Sequence, residues 1–296
     1  MPPPIPVVFN PTAGGGRLLR SCGALEAAAR EHGVQLEWWQ TRGPGHAEEL
    51  AREAVESSRP LVLAFGGDGT YNEVARGLLG SPAALGVLPG GTTSVLAYEL
   101  AVPRPAERAL GALLRGVDRT HRVGRTSQGQ IFLLMLSAGP DALVLERLSP
   151  RLKRLGGRFG VAVQAGRELV RRGALPRLRA SWDHQEVGGG WAIVGKSRSY
   201  AGRFAACPGA DPCAPSFELV LQQRCGRWAA AGFFLGIPSG RHLRLPGVLR
   251  QTATRVSLEP AAGSEPSPYQ VDGDLVGRLP VEAWVDPLEL RVRLPA

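Results

Sequence analysis

Short apolar runs alternate with amphipathic segments through the first third of the chain. Runs at 7–9, 35–40, 61–65 and 85–88 predict strands, because each is short and bounded by turn residues. Apolar residues at helical spacing predict helices at 18–30, 46–57, 70–79 and 105–116, with a further helix ending near residue 100. Repeated strand–helix units favour a doubly wound parallel sheet with helices on both faces, so we predict an α/β first domain.

The pattern changes after about residue 122. Residues 131–136 predict an apolar strand, 152–172 predict a helix, and from residue 178 short strand-like runs alternate with turns. These runs lie at 191–194, 217–222, 233–235, 256–258, 269–271 and 281–285. Their spacing is typical of a mainly antiparallel β-sandwich or barrel. We therefore predict domains at 1–122 and 123–296, with the last strand a candidate to return to the first domain.

A glycine-rich loop follows the apolar run 61–65 and reads Gly66-Gly67-Asp68-Gly69-Thr70. Glycines there let backbone N–H groups approach a polyphosphate, and Asp68 supplies a carboxylate for a magnesium ion or a ligand hydroxyl. Thr70 and Glu73 form a T-x-x-E pattern, which predicts a capping box and a helix that begins at Thr70. A tight strand–helix turn that binds nothing is the alternative interpretation.

Four loops follow predicted strands of the first domain. They begin at Asn10, Thr41, Gly66 and Gly91. The carboxyl ends of parallel strands lie at one edge of a sheet, and ligands of such folds bind there. The sequence therefore predicts a ligand site at which all four loops converge.

The charge of the chain is unevenly distributed. The net charge is +9, and ten basic residues but one acid lie between positions 147 and 179. A basic stripe on helical segments attracts anionic lipid headgroups, at about 1 kcal/mol per charge near the surface. No nucleic-acid motif accompanies the stripe. We therefore expect an anionic membrane surface as a peripheral partner and no nucleic acid, with a merely solvated face as the alternative.

Cysteine use and the absence of long apolar runs favour a cytoplasmic protein. The four cysteines, at 22, 207, 213 and 225, form no C-x-x-C pair, so we expect reduced thiols and no zinc site. The first residues lack the basic and apolar regions of a secretory signal. No run of about 18 apolar residues is present. We expect a cytoplasmic location, peripheral to the inner face of the membrane.

Residues 190–197 match the phosphate-loop expression G-x-x-x-x-G-K-[ST]. A phosphate loop needs an open loop between its glycines and a helix after its lysine. Here the intervening residues, Trp-Ala-Ile-Val, are strand-like, and the residues after Lys196 open no helix. We predict a strand at this position and no phosphate site.

The motifs together resemble the diacylglycerol kinase catalytic domain family. That family includes bacterial lipid kinases and sphingosine kinases and is related in fold to NAD kinases and phosphofructokinases. The resemblance covers nearly the whole chain and rests on Asn10-Pro11, residues 66–70, Asn72-Glu73 with Gly77, Pro89 with Gly91-Thr92, residues 138–142 and residues 271–274. It implies an ATP-binding α/β domain and a C-terminal β-sandwich, with a lipid as substrate.

The resemblance also implies roles for individual residues of this sequence. The resemblance implies ATP and Mg²⁺ as cofactors, Asp68 as a magnesium or phosphate-chain ligand, and Asp272 as the general base, with Asp274 as the fallback. It implies nucleotide contacts at Asn10, Thr41, Gly66, Gly67, Asp68, Gly69, Thr70, Asn72, Glu73, Gly91 and Thr92. Independently, residues 271–274 read Val-Asp-Gly-Asp, which predicts a type I′ hairpin turn. A base and a turn residue are compatible roles for Asp272.

Three positions depart from the family pattern. Ser94 replaces an asparagine of a G-T-x-N element, and Lys196 replaces another asparagine. Cys213-Ala214 lies where some bacterial members hold a structural magnesium with an Asp-Asp-Gly loop, so we predict that this accessory metal site is absent. Three functions stay open: a lipid kinase, a weak or inactive member that binds nucleotide or lipid, and a kinase of a soluble substrate such as NAD.

Overall fold

The computed structural model describes residues 3–15, 18–91, 93–147, 175 and 177–296. They form two compact units, one comprising Met1–Arg122 with Pro287–Ala296 and the other Val123–Asp286. Strands β5 (Val117–Thr126) and β18 (Val281–Leu294) each begin in one unit and end in the other. Each unit is therefore described by itself.

The first unit alternates strands and helices. Its strands are β1 (Ile5–Phe9), β2 (Leu36–Gln40), β3 (Leu61–Gly66) and β4 (Ala84–Pro89). Its helices are α1 (Leu18–Glu31), α2 (His46–Glu56), α3 (Asp68–Leu78), α4 (Val95–Glu99) and α5 (Ala106–Leu114). Parallel pairing gives the order β2-β1-β3-β4-β18. Every residue of β3 and β4 is buried, as expected of a parallel sheet covered on both faces, and the predicted α/β fold is confirmed.

Helix α3 begins two residues before the position that the capping box predicts. Gly67 is the N-cap residue and has no side chain to cap the helix. The Glu73 carboxylate instead accepts the backbone N–H of Ala47, at 3.2 Å, in the first turn of α2. Thr70 lies buried beneath Gly66. The capping-box prediction is wrong, because Glu73 serves a neighbouring helix rather than its own.

The second unit is mainly antiparallel. After β5 its elements are β6 (Ile131–Phe132), β7 (Met135–Ala138), α6 (Pro140–Glu146), β8 (Leu178–Trp182), β9 (Gln185–Gly189), β10 (Trp191–Gly195), β11 (Ser199–Tyr200), β12 (Phe204–Ala205), β13 (Phe217–Gln222), α7 (Arg227–Gly236), β14 (Val248–Ala253), β15 (Arg255–Pro260), β16 (Pro268–Val271) and β17 (Asp274–Arg278). One sheet has the order β14-β13-β10-β7-β16-β17, and β18-β15-β8-β9 pair in another. Apolar side chains from both sheets share one core, so the predicted β-sandwich is confirmed.

Two element predictions in this unit are wrong. Residues 131–136 form two short strands with a break at Leu133 and Leu134, because the backbone there serves other partners. Residues 233–235 lie in helix α7 rather than in a strand. The three consecutive alanines before them favour a helix, and Phe233 packs its ring against Trp191, at 5.0 Å between centroids.

Two further predictions concern the phosphate-loop match and the basic stripe. The strand predicted within the phosphate-loop match is confirmed as β10, which pairs with β7 and β13. The helix predicted at 152–172 and most of the basic stripe at 147–179 lie outside the described residues. Within the stripe, Arg179 pairs with Glu186 and Glu259, which compensate its charge. No helix among the described residues is long and apolar enough to span a membrane.

Candidate functional site

The loops after β1 to β4 are held together by backbone hydrogen bonds. The Gly66 carbonyl oxygen accepts the N–H groups of Gly90, at 2.9 Å, and of Gly91, at 2.6 Å. The Asn10 N–H donates to the carbonyl of Phe65, the residue before Gly66, at 3.3 Å. The Thr41 N–H donates to the carbonyl of Phe9, at 2.9 Å. The structure thus brings these four loops to one edge of the sheet.

Glycine is required where two of these loops touch. A Cβ atom on Gly91 would lie 2.7 Å from the Gly67 Cα, closer than backbone packing allows. A Cβ on Gly14 would lie 2.6 Å from the Gly90 carbonyl oxygen, and Gly14 also has a φ of +60°. The loops therefore meet backbone to backbone at these two contacts.

Asp68 joins the loop after β3 to the start of helix α4. Its Oδ2 accepts the N–H of Val95 and its Oδ1 accepts the N–H of Leu96, both at 2.9 Å. These N–H groups belong to the first two residues of α4, where the helix dipole favours a negative charge. Asp68 is therefore a structural tie as well as the candidate ligand of magnesium.

The remaining predicted nucleotide contacts differ in exposure. Thr41 and Thr70 are buried, so their side chains pack the loops from beneath. Gly69 is exposed in the first turn of α3, and Asn72 is half-buried one turn later. The Asn10 amide oxygen accepts the N–H and the hydroxyl of Thr12, at 3.0 and 2.8 Å. Thr92 lies outside the described residues.

Two residues beside these loops were not predicted from the sequence. The buried Tyr71 hydroxyl lies 2.7 Å from the Gly66 carbonyl oxygen and 3.0 Å from that of Leu88. Burial raises the pKa of Tyr71, so its hydroxyl stays a donor at the carboxyl ends of strands β3 and β4. Arg104 is exposed, and its Nη2 lies 3.3 Å from the Thr93 carbonyl oxygen. Tyr71 directly follows the glycine-rich motif, whereas nothing in the sequence marks Arg104.

Ser94 lies where the resemblance expects an asparagine. It is buried, has a φ of 44° and precedes the first residue of α4. Its Oγ lies 3.3 Å from both the Gly91 carbonyl oxygen and the Tyr71 hydroxyl. Asparagine adopts this left-handed conformation more readily than serine does. The Ser94 hydroxyl thus keeps the link between the loops, but the backbone at Ser94 has a conformation that asparagine adopts more readily.

In the second unit, Asp272 occupies a tight turn between β16 and β17. Its φ is 51° and that of Gly273 is 94°, as a type I′ turn requires, so the predicted hairpin is confirmed. Its Oδ2 accepts the N–H of Leu133, and its Oδ1 accepts those of Leu134 and Met135, all at 2.9 Å. The break between β6 and β7 is what aims these three donors at one carboxylate.

Asp274 has a different environment from Asp272. It is the first residue of β17, pairs with Val271 across the hairpin and is exposed. Within the described part of the chain its carboxylate forms no hydrogen bond or salt bridge. Of the two acids in the motif, one is fixed by the backbone and the other faces solvent.

The buried carboxylate of Asp141 is linked to this turn through Gln270. Asp141, at the start of α6, lies with its Oδ2 3.3 Å from both the Tyr200 hydroxyl and the Gln270 amide nitrogen. The Gln270 amide oxygen in turn accepts the N–H of Gly273, at 2.7 Å. Burial raises the pKa of Asp141, against the opposing effect of nearby donors that include Ser137. The 138–142 motif is thereby connected to the turn at 272–273.

Lys196 is fully buried and places its ammonium among backbone carbonyls. Its Nζ lies 2.6 Å from the oxygen of Asp211, 2.8 Å from that of Ala214 and 3.5 Å from that of Ser216. This is the loop for which the accessory metal site is predicted to be absent. The positively charged Lys196 ammonium therefore lies among the backbone carbonyls of this loop.

The backbone around Lys196 also reaches the Asp272 turn. The N–H groups of Lys196 and Ser197 donate to the carbonyl of Leu134, at 2.8 and 2.9 Å. The N–H group of Leu134 donates to Asp272. Leu134 thus binds Asp272 through its N–H group and the backbone of Lys196 and Ser197, directly after β10, through its carbonyl oxygen.

Two family models match the chain. The model described as the diacylglycerol kinase catalytic domain matches residues 4–126. The model described as the YegS C-terminal NAD kinase beta sandwich-like domain matches residues 135–294, which is more than half of the chain.

Relatives and solved structures agree with these matches. Proteins named diacylglycerol kinase from Staphylococcus carnosus (strain TM300) and Staphylococcus haemolyticus (strain JCSC1435) are each 25% identical over 93% of this chain, covering 89% and 83% of their own lengths. A crystal structure from Bacillus anthracis str. Sterne has a TM-score of 0.81 at 19% identity, covering 98% of this chain and 95% of that one. A second structure from that organism, described as a diacylglycerol kinase, has a TM-score of 0.71 at 17% identity, covering 98% and 96%. At these identities the structural likeness shows the fold.

Proposed function

This chain belongs to the family that combines a diacylglycerol kinase catalytic domain with a YegS-type β-sandwich domain, and we propose that it transfers the γ-phosphate of ATP to the hydroxyl of diacylglycerol or a related lipid. The contact between the loops at Gly67 and Gly91 carries the proposal. Phosphates need closely spaced backbone donors, and only glycine-rich loops can supply them at this distance.

The nucleotide loops fit a polyphosphate chemically. Helix α3 begins at Asp68 and directs its first N–H groups toward the loop edge, where a phosphate gains from the helix dipole. Arg104 adds an exposed positive charge beside Thr93. When Mg²⁺ accompanies ATP it neutralises charge on the phosphates, and Asp68 is the candidate to hold it at the loop.

Phosphoryl transfer to a hydroxyl also needs a carboxylate that accepts the proton. Asp272 already accepts hydrogen bonds from three backbone N–H groups, which fix its orientation and occupy both of its carboxylate oxygens. Asp274 is exposed two residues away. We therefore propose Asp274 as the general base and Asp272 as the residue that positions the turn, in place of the reverse assignment that the resemblance favours.

An acceptor screen tests the function. The protein is incubated with radiolabelled ATP and Mg²⁺ and with vesicles that contain diacylglycerol, a sphingoid base or other hydroxyl lipids, or with NAD in a parallel reaction. We expect phosphate in a lipid product and none when a chelator is in excess. Labelled NAD without labelled lipid would overturn the proposal in favour of a soluble substrate.

A matched pair of glycine variants tests the loop contact. Gly91→Ala places a Cβ against the Gly67 backbone, whereas Gly23→Ala, in helix α1, meets no atom within 4 Å. We expect Gly91→Ala to weaken ATP binding at least about tenfold, equivalent to 1.4 kcal/mol, and Gly23→Ala to leave it unchanged. Equal ATP affinity in the two variants would remove the loop contact from the nucleotide site.

A further inference from the structure

Helix α7 lies at the surface of the second unit but has no polar side. Its sequence is Arg-Trp-Ala-Ala-Ala-Gly-Phe-Phe-Leu-Gly, so Arg227 is its one charged residue. The inner side buries Ala230, Ala231 and Phe233, and Phe233 belongs to the apolar cluster that contains Trp191. A surface helix normally turns polar residues to water, and one that is apolar all round is normally covered on every side.

The outer side of α7 exposes two large apolar residues. Trp228 is 84% exposed and Leu235 is 71% exposed, the highest values for large apolar side chains among the described residues. They are seven residues apart, so at 3.6 residues per turn they point about 20° apart on the same side of the helix. Together they form one apolar ridge along the helix.

The chain around this ridge is basic and contains no acid. Residues 219–258 include no aspartate or glutamate and carry six arginines. Arg250 and Arg255 are paired with Glu218 and Glu282. The other four are Arg224, Arg227, Arg241 and Arg244, and within the described ranges their guanidinium groups form no salt bridge or hydrogen bond. All but the half-buried Arg227 are exposed. In the chain, the apolar ridge is thus flanked on both sides by arginines whose charge no neighbouring acid compensates.

We propose that this face, formed by Trp228, Leu235 and the four arginines, docks on an anionic lipid bilayer. The α7 face matches the layers of such a surface, because tryptophan favours the boundary between headgroups and acyl chains while arginine binds lipid phosphates. Leucine adds apolar area below the headgroups. The proposal deepens the lipid-kinase function and rests on it only for the expectation that the substrate lies in the bilayer.

Charge favours a bilayer over a second copy of the chain. In a symmetric dimer through the α7 face, the same patch of each copy meets the other, so two sets of four arginines would face each other without an acid. Like charges at such a distance oppose association. A nucleic acid would neutralise the arginines but would offer Leu235 no apolar layer.

Vesicle sedimentation without ATP tests the proposal directly. Wild type, Trp228→Ala with Leu235→Ala, and Leu19→Ala are mixed with vesicles of phosphatidylcholine alone or with phosphatidylglycerol. Leu19 is a matched control, since it is a 56% exposed leucine on a helix of the other unit. We expect wild type and the control to bind anionic vesicles, and the double variant to bind at least about tenfold more weakly, equivalent to 1.4 kcal/mol.

A charge variant keeps the test independent of the apolar substitutions. Arg241→Glu with Arg244→Glu should also weaken binding to anionic vesicles, and raising the salt should weaken binding by the wild type. Equal binding by wild type and both double variants would overturn the proposal. So would concentration-dependent dimerisation lost in Trp228→Ala with Leu235→Ala, or binding to nucleic acid in preference to anionic vesicles.

A second assay separates this inference from the proposed function. With diacylglycerol dispersed in detergent, the Trp228→Ala and Leu235→Ala variant should phosphorylate lipid at the wild-type rate, because the α7 face is needed only for docking on a bilayer. Vesicle binding through the α7 face without any lipid phosphorylation would support docking while rejecting the kinase proposal. Lipid phosphorylation without involvement of α7 in vesicle binding would support the kinase proposal and reject docking through the α7 face.

Discussion

The carboxylate of Asp68 accepts the backbone N–H of Val95, at 2.9 Å, although 27 residues separate the two in the chain. Together with the bond to Leu96, this contact ties the glycine-rich loop to the start of the next helix. A residue assigned from its motif to ligand chemistry therefore also determines the shape of the loop. Loss of activity in an Asp68 variant has two physical causes that must be separated.

Asp68→Ala should destabilise the protein as well as reduce phosphoryl transfer. Two charge-assisted hydrogen bonds are lost. Because Asp68 is partly exposed, we expect the free energy of unfolding to decrease by about 1–3 kcal/mol. Asp68→Asn keeps one acceptor oxygen but turns its NH₂ group toward the other backbone N–H, so stability should fall within the same range while the charge is lost. Urea unfolding measured beside turnover checks this. An alanine variant with wild-type stability would show that these bonds do not hold the loop.

The two acids of the hairpin should respond differently to replacement by asparagine. Asp274→Asn should reduce turnover by about 10²- to 10⁴-fold, the usual contribution of a general base, with little change in stability. Asp272→Asn turns an amide NH₂ group toward a backbone N–H, so stability should fall by about 1–3 kcal/mol. Turnover and thermal unfolding of both variants check this. Full activity in Asp274→Asn would return the base assignment to Asp272.

Lys196→Met should destabilise the second unit, because it leaves the Asp211 and Ala214 carbonyls without the ammonium that binds them. We expect the free energy of unfolding to decrease by about 2–4 kcal/mol. Since the backbone at 196–197 also holds the segment that binds Asp272, turnover should fall in parallel. Calorimetric unfolding and initial rates are the measurements. A change below about 0.5 kcal/mol, the size of an ordinary surface substitution, would contradict this role.

Asp141 should make stability fall as the pH rises. Burial raises its pKa in the folded state above the ordinary value near 3.9, so the folded protein keeps this proton when the unfolded chain has lost it. Its contribution is present at low pH and declines from about pH 4 upward, until the folded pKa is passed. Asp141→Asn removes this decline. Its stability relative to wild type should therefore rise between pH 4 and pH 8, as chemical unfolding at several pH values can measure.

Local patterns in the sequence predicted the elements that depend on local physics. The parallel strands β3 and β4 were predicted from short apolar runs at 61–65 and 85–88, and the turn at Asp272 and Gly273 from a dipeptide that tolerates positive φ. The approach of the four loops followed from the rule for parallel strands rather than from any single residue.

Partners distant in the chain were not predictable in this way. Glu73 has the spacing of a capping box, yet its carboxylate accepts the N–H of Ala47 in α2, 26 residues earlier in the chain, and no local pattern indicates this partner. The run at 131–136 has strand composition, but Asp272, 138 residues beyond Leu134, recruits its N–H groups and divides it. The apolar stretch at 233–235 fits a strand or a helix equally by itself. The alanines before it favour the helix, in which Phe233 packs against Trp191.

Strand β18 determines the order in which the two units can finish folding during synthesis. Its residues Arg291 and Val292 pair with Ala84 and Leu85 of β4, and the ribosome translates them after the whole of the second unit. Until then one edge of the nascent sheet lacks its neighbour, and an open edge invites pairing with other chains. The unit that emerges first from the ribosome is the one that is completed last.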